Sequence, residues 1–334
     1  MPQDVDVFMP FPPRISPDAS AARVRAVAWA RAHGLITCPA DEERFTLWDI
    51  AGLMARWLPD ATGTVLDQAV NAVNLITILD DQFDSPANLD PERAAQIGFD
   101  FAQLARPGGA AIPDGPLAQA YGEVRDWLYG GASPIWTQCA FIHHRWYLDA
   151  CASEARNRFD RRTPERAEFS AQRRKSGYVY PMLDLSQKAY GFELPDAMYK
   201  DPVVARMAQI TADVISTLND LHSLEKEEIR GQQRDNLVHV LMHESGCSRN
   251  ESIAEIVQMA ESWIREFIRL EQRANDDAFA RRFIDCMRSA IRGYFDWSRV
   301  TARYSQIVPA AEPAYSDMLR ASASGDAESN ATAV

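Results

Sequence analysis

VLDQAVNAVNLITILDDQFD, residues 65–84, is the stretch on which the fold turns. Val65, Leu66, Val70, Val73, Leu75, Ile76, Ile78 and Leu79 make a long apolar run, and in its second half apolar residues fall on every side. A helix that is apolar all round is a buried helix. The run ends in Asp80-Asp81-Gln82-Phe83-Asp84, and Ser85-Pro86 stops it, because proline disfavours helical geometry in the residue before it. Asp80 therefore stands at the end of a central helix. Asp80 and Asp84 are four apart and share a face.

A second row lies about 140 residues on, in Asn219-Asp220-Leu221-His222-Ser223-Leu224-Glu225-Lys226-Glu227. Asn219, Ser223 and Glu227 follow each other at helical spacing of four. Asn and Asp are poor helix formers, yet they follow the apolar stretch Ile210–Leu218. Polar groups leaving a buried environment need partners. Oxygen donors of the carboxylate, amide and hydroxyl types suit a hard cation such as Mg²⁺, which keeps waters and is commonly shared with substrate phosphates. Two such rows point to a phosphate group held between two helices. The formal net charge of −12 agrees: an acidic site repels a diphosphate unless divalent cations lie between. The same charge argues against nucleic acid as a partner, which calls for a basic stripe.

Working outward, helical periodicity dominates. It predicts helices over 21–33, 47–58, 65–83, 91–104, 117–128, 133–158, 167–190, 202–230, 252–274 and 277–304. No alternating strand pattern and no fixed-period repeat emerges. No linker divides the chain, so the two rows meet only inside one compact unit. The expected fold is all-α, a single-domain antiparallel bundle with a central cavity, its site built from facing helices. Residues 311–334, small and polar towards the end, are expected to form a flexible tail.

No segment reaches the roughly 18 apolar residues of a membrane span. Met1–Pro13 is Pro-rich and acidic, without a signal peptide's basic and apolar regions. Cys38, Cys139, Cys151, Cys247 and Cys286 are odd in number and scattered, as expected of reduced thiols, so the expected location is cytoplasmic. His239, His243 and Cys247 share a metal-compatible spacing but lack a fourth ligand and the Glu of a zinc-protease motif. His143-His144 reads as helix surface and core.

Basic side chains should complete a phosphate site: Arg173-Arg174-Lys175, Lys226 and Arg303, the last followed by Tyr304. In their order and spacing these elements resemble the bacterial class I terpene synthases, in particular actinobacterial sesquiterpene cyclases, across about residues 1–310. The resemblance implies a catalytic domain over 1–310 with the class I terpenoid synthase fold and three Mg²⁺ ions. It implies that Asp80 binds two of them, with Asp84 beside it in the metal set. Asp81 and Asp84 would also pair with basic residues on closure. Asn219, Ser223 and Glu227 would hold the third ion. Arg173 would sense the diphosphate, and Lys226, Arg303 and Tyr304 would hold it. Ser176 and Gly177 match the helix break that passes diphosphate binding on to the substrate.

Phe83 and Trp297 are candidates to face a carbocation in the pocket; an aromatic in a helical core is the alternative for each. One departure stands out. The positions four and three before Asp80, often aromatic in similar synthases, are Ile76 and Thr77. The Thr77 hydroxyl either back-bonds to its helix or faces a cation or water. The expected activity is Mg²⁺-dependent cyclisation of a linear prenyl diphosphate, most simply farnesyl diphosphate, to a sesquiterpene, by a monomer or homodimer. A diterpene synthase using geranylgeranyl diphosphate, and a non-catalytic isoprenoid diphosphate-binding helical protein, are the alternatives. A chain-elongating prenyltransferase needs a second aspartate-rich cluster where Asn219–Glu227 stands.

Overall fold

The computed structural model describes residues 5–83, 90–108, 115–274 and 278–304. Asp84 and the expected tail at 311–334 lie outside them. Within them every regular element is a helix, and there is no strand. The all-round apolar helix is α4, Gly63–Phe83. Every residue from Ala69 to Leu79 is buried, Asn71, Asn74 and Thr77 included. Before it come α1 (Ala19–Ala32), α2 (Pro39–Trp48) and α3 (Ile50–Trp57). After it come α5 (Pro91–Ala105), α6 (Pro116–Tyr129) and α7 (Pro134–Phe159). The second row rides on α11, Pro202–Arg230, which starts at an Asp201 cap and stops at left-handed Gly231.

Two predicted helices are broken. The one expected over 47–58 is two, because Asp49 takes left-handed geometry (φ 49°) and caps α3 by accepting from the Gly52 N–H. The one expected over 167–190 splits into α8 (Arg166–Ser176) and α9 (Val179–Ala189) at Gly177-Tyr178, where the resemblance implies a break. Short α10 (Asp196–Tyr199) and α12 (Leu237–Ser245) have no counterpart among the predicted helices. A nine-residue helix carries too little periodicity to stand out. α12 exists because Leu237, Val238, Val240 and Leu241 bury against Leu221 and Leu224 of α11 and Ile253 and Ile256 of α13 (Arg249–Glu271). The last helix, α14 (Ala278–Ser298), stops short of the expected Tyr304. Gly293 lets α14 lie against α3: a Cβ there would sit 2.7 Å from the Arg56 carbonyl oxygen.

The packing brings both row-bearing helices against α9. α4 contacts α1, α3, α6, α7 and α9; α11 contacts α8, α9, α13 and α14. α9 thus bridges the two site helices, and the helix break immediately precedes it. No described helix is long and apolar enough to cross a membrane.

Candidate active site

Asn219 is the junction of the site. Its amide nitrogen donates to the hydroxyls of Tyr294 and Tyr304, both at 2.8 Å, and those two hydroxyls lie 2.9 Å apart. Its amide oxygen accepts from Arg173 Nη2 at 2.6 Å. One turn on, Ser223 donates to the Asn219 carbonyl at 2.8 Å, and a further turn on, Glu227 accepts from Asn236 at 2.7 Å. Burial pushes the Glu227 carboxyl up to about 7, with the Asp220 charge adding to it. Lys226 is half-buried directly before it.

Arg173, at the end of α8, also donates Nε to Asp220 Oδ1 at 2.9 Å. Burial works against its charge, but Asp220, Glu154 and Glu227 outweigh that and hold the guanidinium firmly protonated. Ser176 donates to Glu154 at 2.5 Å. Gly177 sits where a side chain is crowded: a Cβ would stand 2.5 Å from Ser216 Oγ on α11, which would have to turn away, and 3.2 Å from the Arg173 carbonyl. Gly177→Ala is therefore expected to push the break away from α11 and to lower turnover by roughly 10²-fold, the scale of a misplacement near 1 Å. Adding Ser216→Ala should recover part of it; a double-mutant cycle read by diphosphate release checks this.

Opposite, Asp80 accepts from the Tyr147 hydroxyl at 3.3 Å and lies 3.9 Å from Arg303. Arg303 rests over the Trp48 ring at 5.7 Å, and its Nη1 is buried without a hydrogen-bond partner among the described residues. Burial disfavours its charge, but Asp81, Tyr304 and Asp80 together raise its pKa. Arg303 and Tyr304, adjacent in sequence, thus join the aspartate row to Asn219.

The pocket candidates separate. Ile76, one turn before Asp80, lines a narrow cleft between α4, α6, α7 and α9, partly open to solvent, with a cavity volume of about 40 Å³. Thr77 back-bonds to the Val73 carbonyl at 2.9 Å. Phe83 is buried, with its carbonyl held by Arg158. Trp297 donates to the Asp49 carbonyl at 2.9 Å and packs on Tyr294 and Tyr304. Thr77, Phe83 and Trp297 are not among the residues lining this cleft. Of the histidines, His239 faces Glu228 at 3.1 Å, while His144 is buried and joins the cleft.

Sequence reasoning missed Asp220 as the partner of Arg173, Tyr294 as the second phenol on Asn219, Tyr147 on Asp80 and Asn236 on Glu227. Only Asp220 carried a signal, as an acid in mid-helix beside Asn219. Burial also lowers the His144 pKa from 6.5 to about 4. Below pH 6.5 the unfolded chain takes up a proton that the folded chain refuses until about pH 4. Stability should therefore fall with pH through that window, by about 3 kcal/mol from this group. Urea unfolding of wild type and His144→Gln at pH 7, 5.5 and 4.5 checks it: parallel losses would contradict the assignment.

These helices are those of solved enzymes. The fold superimposes on linalool/nerolidol synthase from Streptomyces clavuligerus with TM-score 0.79 at 25% identity, covering 88% of this chain and all of that one. In sequence the chain is 35% identical to pentalenene synthase of Streptomyces arenae over 317 residues, 91% of this chain and 94% of that protein. It is 28% identical to 7-epi-alpha-eudesmol synthase ((2E,6E)-farnesyl diphosphate cyclizing) of Streptomyces viridochromogenes, over 91% and 93% of the two chains. Residues 71–266 match the family described as terpene synthase family 2, C-terminal metal binding, a match that takes in all of α11 and most of α4. An all-helical bundle with this fold, this sequence identity and a family match spanning both row-bearing helices makes the chain a bacterial class I terpene synthase, a lyase of the terpene synthase family.

Proposed function

We propose that this chain ionises farnesyl diphosphate and cyclises the resulting cation to a sesquiterpene, with release of diphosphate. The observation that carries the reading is the Asn219 junction. One amide joins Arg173 at the helix break, the polar row of α11 and Tyr304, whose neighbour Arg303 faces Asp80. Groups of that kind, converging on one mouth, match a leaving diphosphate. The donors also fit a divalent cation, for Asn219, Ser223, Glu227 and Asp80 are all oxygen ligands. The Glu227 carboxyl, pushed up to about 7 by burial and by the Asp220 charge, which Arg173 only partly offsets, is a group that a cation would stabilise. Three Mg²⁺ ions are assigned to these rows, two on the side of Asp80 and Asp84 and one on Asn219, Ser223 and Glu227. When bound, they stabilise charge on the departing diphosphate.

The chain's own groups do the rest. Arg173, Lys226, Arg303 and Tyr304 bind and orient the diphosphate oxygens, with the orphan Arg303 Nη1 an available donor. Asp81 and Asp84 pair with basic residues on closure, which excludes water from the cation. Ser176 and Gly177 transmit diphosphate binding through the α8–α9 break. The apolar chain enters the cleft below Asp80, past Ile76. The catalytic unit is assigned to residues 1–310, working as a monomer or homodimer. Its five cysteines are free thiols, in keeping with the cytoplasm.

The test is incubation of the purified protein with geranyl, farnesyl and geranylgeranyl diphosphates, with and without Mg²⁺. Products are read by gas chromatography–mass spectrometry and by diphosphate release. A cyclic C15 product from farnesyl diphosphate, dependent on Mg²⁺, is the expected result. A C20 product alone moves the substrate to geranylgeranyl diphosphate. Folded protein that releases no diphosphate from any of them removes the catalytic reading.

A further inference from the structure

The cleft below Asp80 is apolar on its α4 side, yet its far wall carries three linked polar rings. Tyr178 follows Gly177 at the helix break, in left-handed geometry (φ 57°, ψ 12°). A non-glycine residue there is strained, and the conformation commits the phenol to this wall. The Tyr178 hydroxyl lies 3.2 Å from His144 Nδ1, and His144 Nε2 lies 2.6 Å from the Tyr121 hydroxyl. Tyr178 also packs edge-on against Tyr147, the residue that donates to Asp80, with ring centroids 4.8 Å apart. The rings therefore begin beside the leaving-group end and line the hydrocarbon space.

We propose that Tyr178 and His144 form the terminal base of the cyclisation. The Tyr178 hydroxyl oxygen takes a proton from the carbon next to the final cation and passes its own proton to His144 Nδ1. The C–H bond breaks, and its electron pair becomes the product's double bond. The positive charge moves from carbon to imidazolium, which releases its proton to solvent when the site opens. Nε2–H meanwhile donates to the Tyr121 oxygen, which fixes the tautomer that leaves Nδ1 free to accept.

Three features favour this wall over others. Burial keeps His144 neutral, so it holds a lone pair rather than a repelling charge. Burial also holds the Tyr121 and Tyr178 phenols far above their usual range, so each keeps its hydrogen until a strong acid such as a carbocation arrives. Both imidazole nitrogens are covered by phenols, so the cation meets a hydroxyl rather than a bare nitrogen that it would alkylate. Asp184, on the same cleft, is already held by His143 at 2.6 Å.

The proposal rests on the cyclase reading and predicts that the main product is a hydrocarbon. The test uses the whole enzyme, farnesyl diphosphate and Mg²⁺, with Tyr178→Phe, His144→Gln and Asp184→Asn. Tyr178→Phe removes one oxygen and keeps the ring, so folding is not at stake. Of the product that Tyr178→Phe and His144→Gln still form on releasing diphosphate, the main hydrocarbon's share should fall at least tenfold. Alcohols or earlier-deprotonated alkenes should replace it. A merely structural role would lower release and leave the product profile alone. An unchanged profile in Tyr178→Phe, a redirected profile in Asp184→Asn alone, or an alcohol as the wild-type product overturns the proposal. Absence of diphosphate release in wild type strikes the cyclase reading itself.

Discussion

Asn219→Ala is expected to lower diphosphate release by about 10³-fold at fixed Mg²⁺, with the protein still folded. Removing one positioned donor at a site of developing charge typically costs 10²–10³-fold. Loss of an orienting partner around a metal adds roughly 10–100-fold. On the proposed reading Asn219 would do both jobs, so the upper part of that range applies. Among the described residues its truncation leaves the Tyr294 and Tyr304 hydroxyls bonded to each other, at 2.9 Å, and takes one acceptor from Arg173. Asn219→Asp restores an oxygen ligand and an acceptor for Arg173 and should recover part of the rate. A near-wild-type rate in Asn219→Ala would falsify the assignment of Asn219 to the site.

Asp220→Ala is expected to cost about 3–5 kcal/mol of stability, the scale for removing one partner of a buried ion pair. At the few degrees per kcal/mol typical of a chain this long, the thermal midpoint should drop by roughly 10 °C. Asp220 Oδ1 accepts from Arg173 Nε, and Oδ2 accepts from the Leu237 N–H at 3.1 Å. Truncation therefore takes the directly paired carboxylate from a largely buried guanidinium, leaving it Asn219 and the more distant Glu154 and Glu227, and strands an N–H in the first turn of α12. Asp196→Ala is the control. It breaks the Lys200–Asp196 pair, whose side chains are 74% and 55% exposed, and solvent screening should keep its cost below about 1 kcal/mol. Calorimetry compares the two variants directly; equal midpoints would mean that the Arg173–Asp220 pair does not hold α8 to α11.

Much of this was legible in the chain. α4 was readable because a run apolar on every side must be buried, and the acids at its end mark where that burial stops. The spacing of Asn219, Ser223 and Glu227 was readable because helical period alone puts them on one face of α11. The α8–α9 break was legible at Ser176–Gly177, although not its cause, the approach of Ser216 from a helix 40 residues on. The break at Asp49 went unread, because an aspartate cap inside a helical pattern looks like any other polar position until the left-handed turn is seen. α12 went unread because nine residues show its apolar face only against the neighbours that bury it.

Local chemistry, then, was settled by sequence: which residues share a helix face, which face is apolar and which oxygen donors line up. Those properties depend on neighbours within a few turns, and the helical period alone determines them. Partnership was settled only by tertiary structure. That Arg173 pairs with Asp220, that Tyr294 joins Tyr304 on Asn219, that Trp297 braces Tyr304 rather than lining the cleft, and that His144 is gripped by two phenols all depend on helices distant in sequence. Such contacts follow from how ridges and grooves of whole helices fit together. Packing, not periodicity, therefore chose which of the legible side chains face one another.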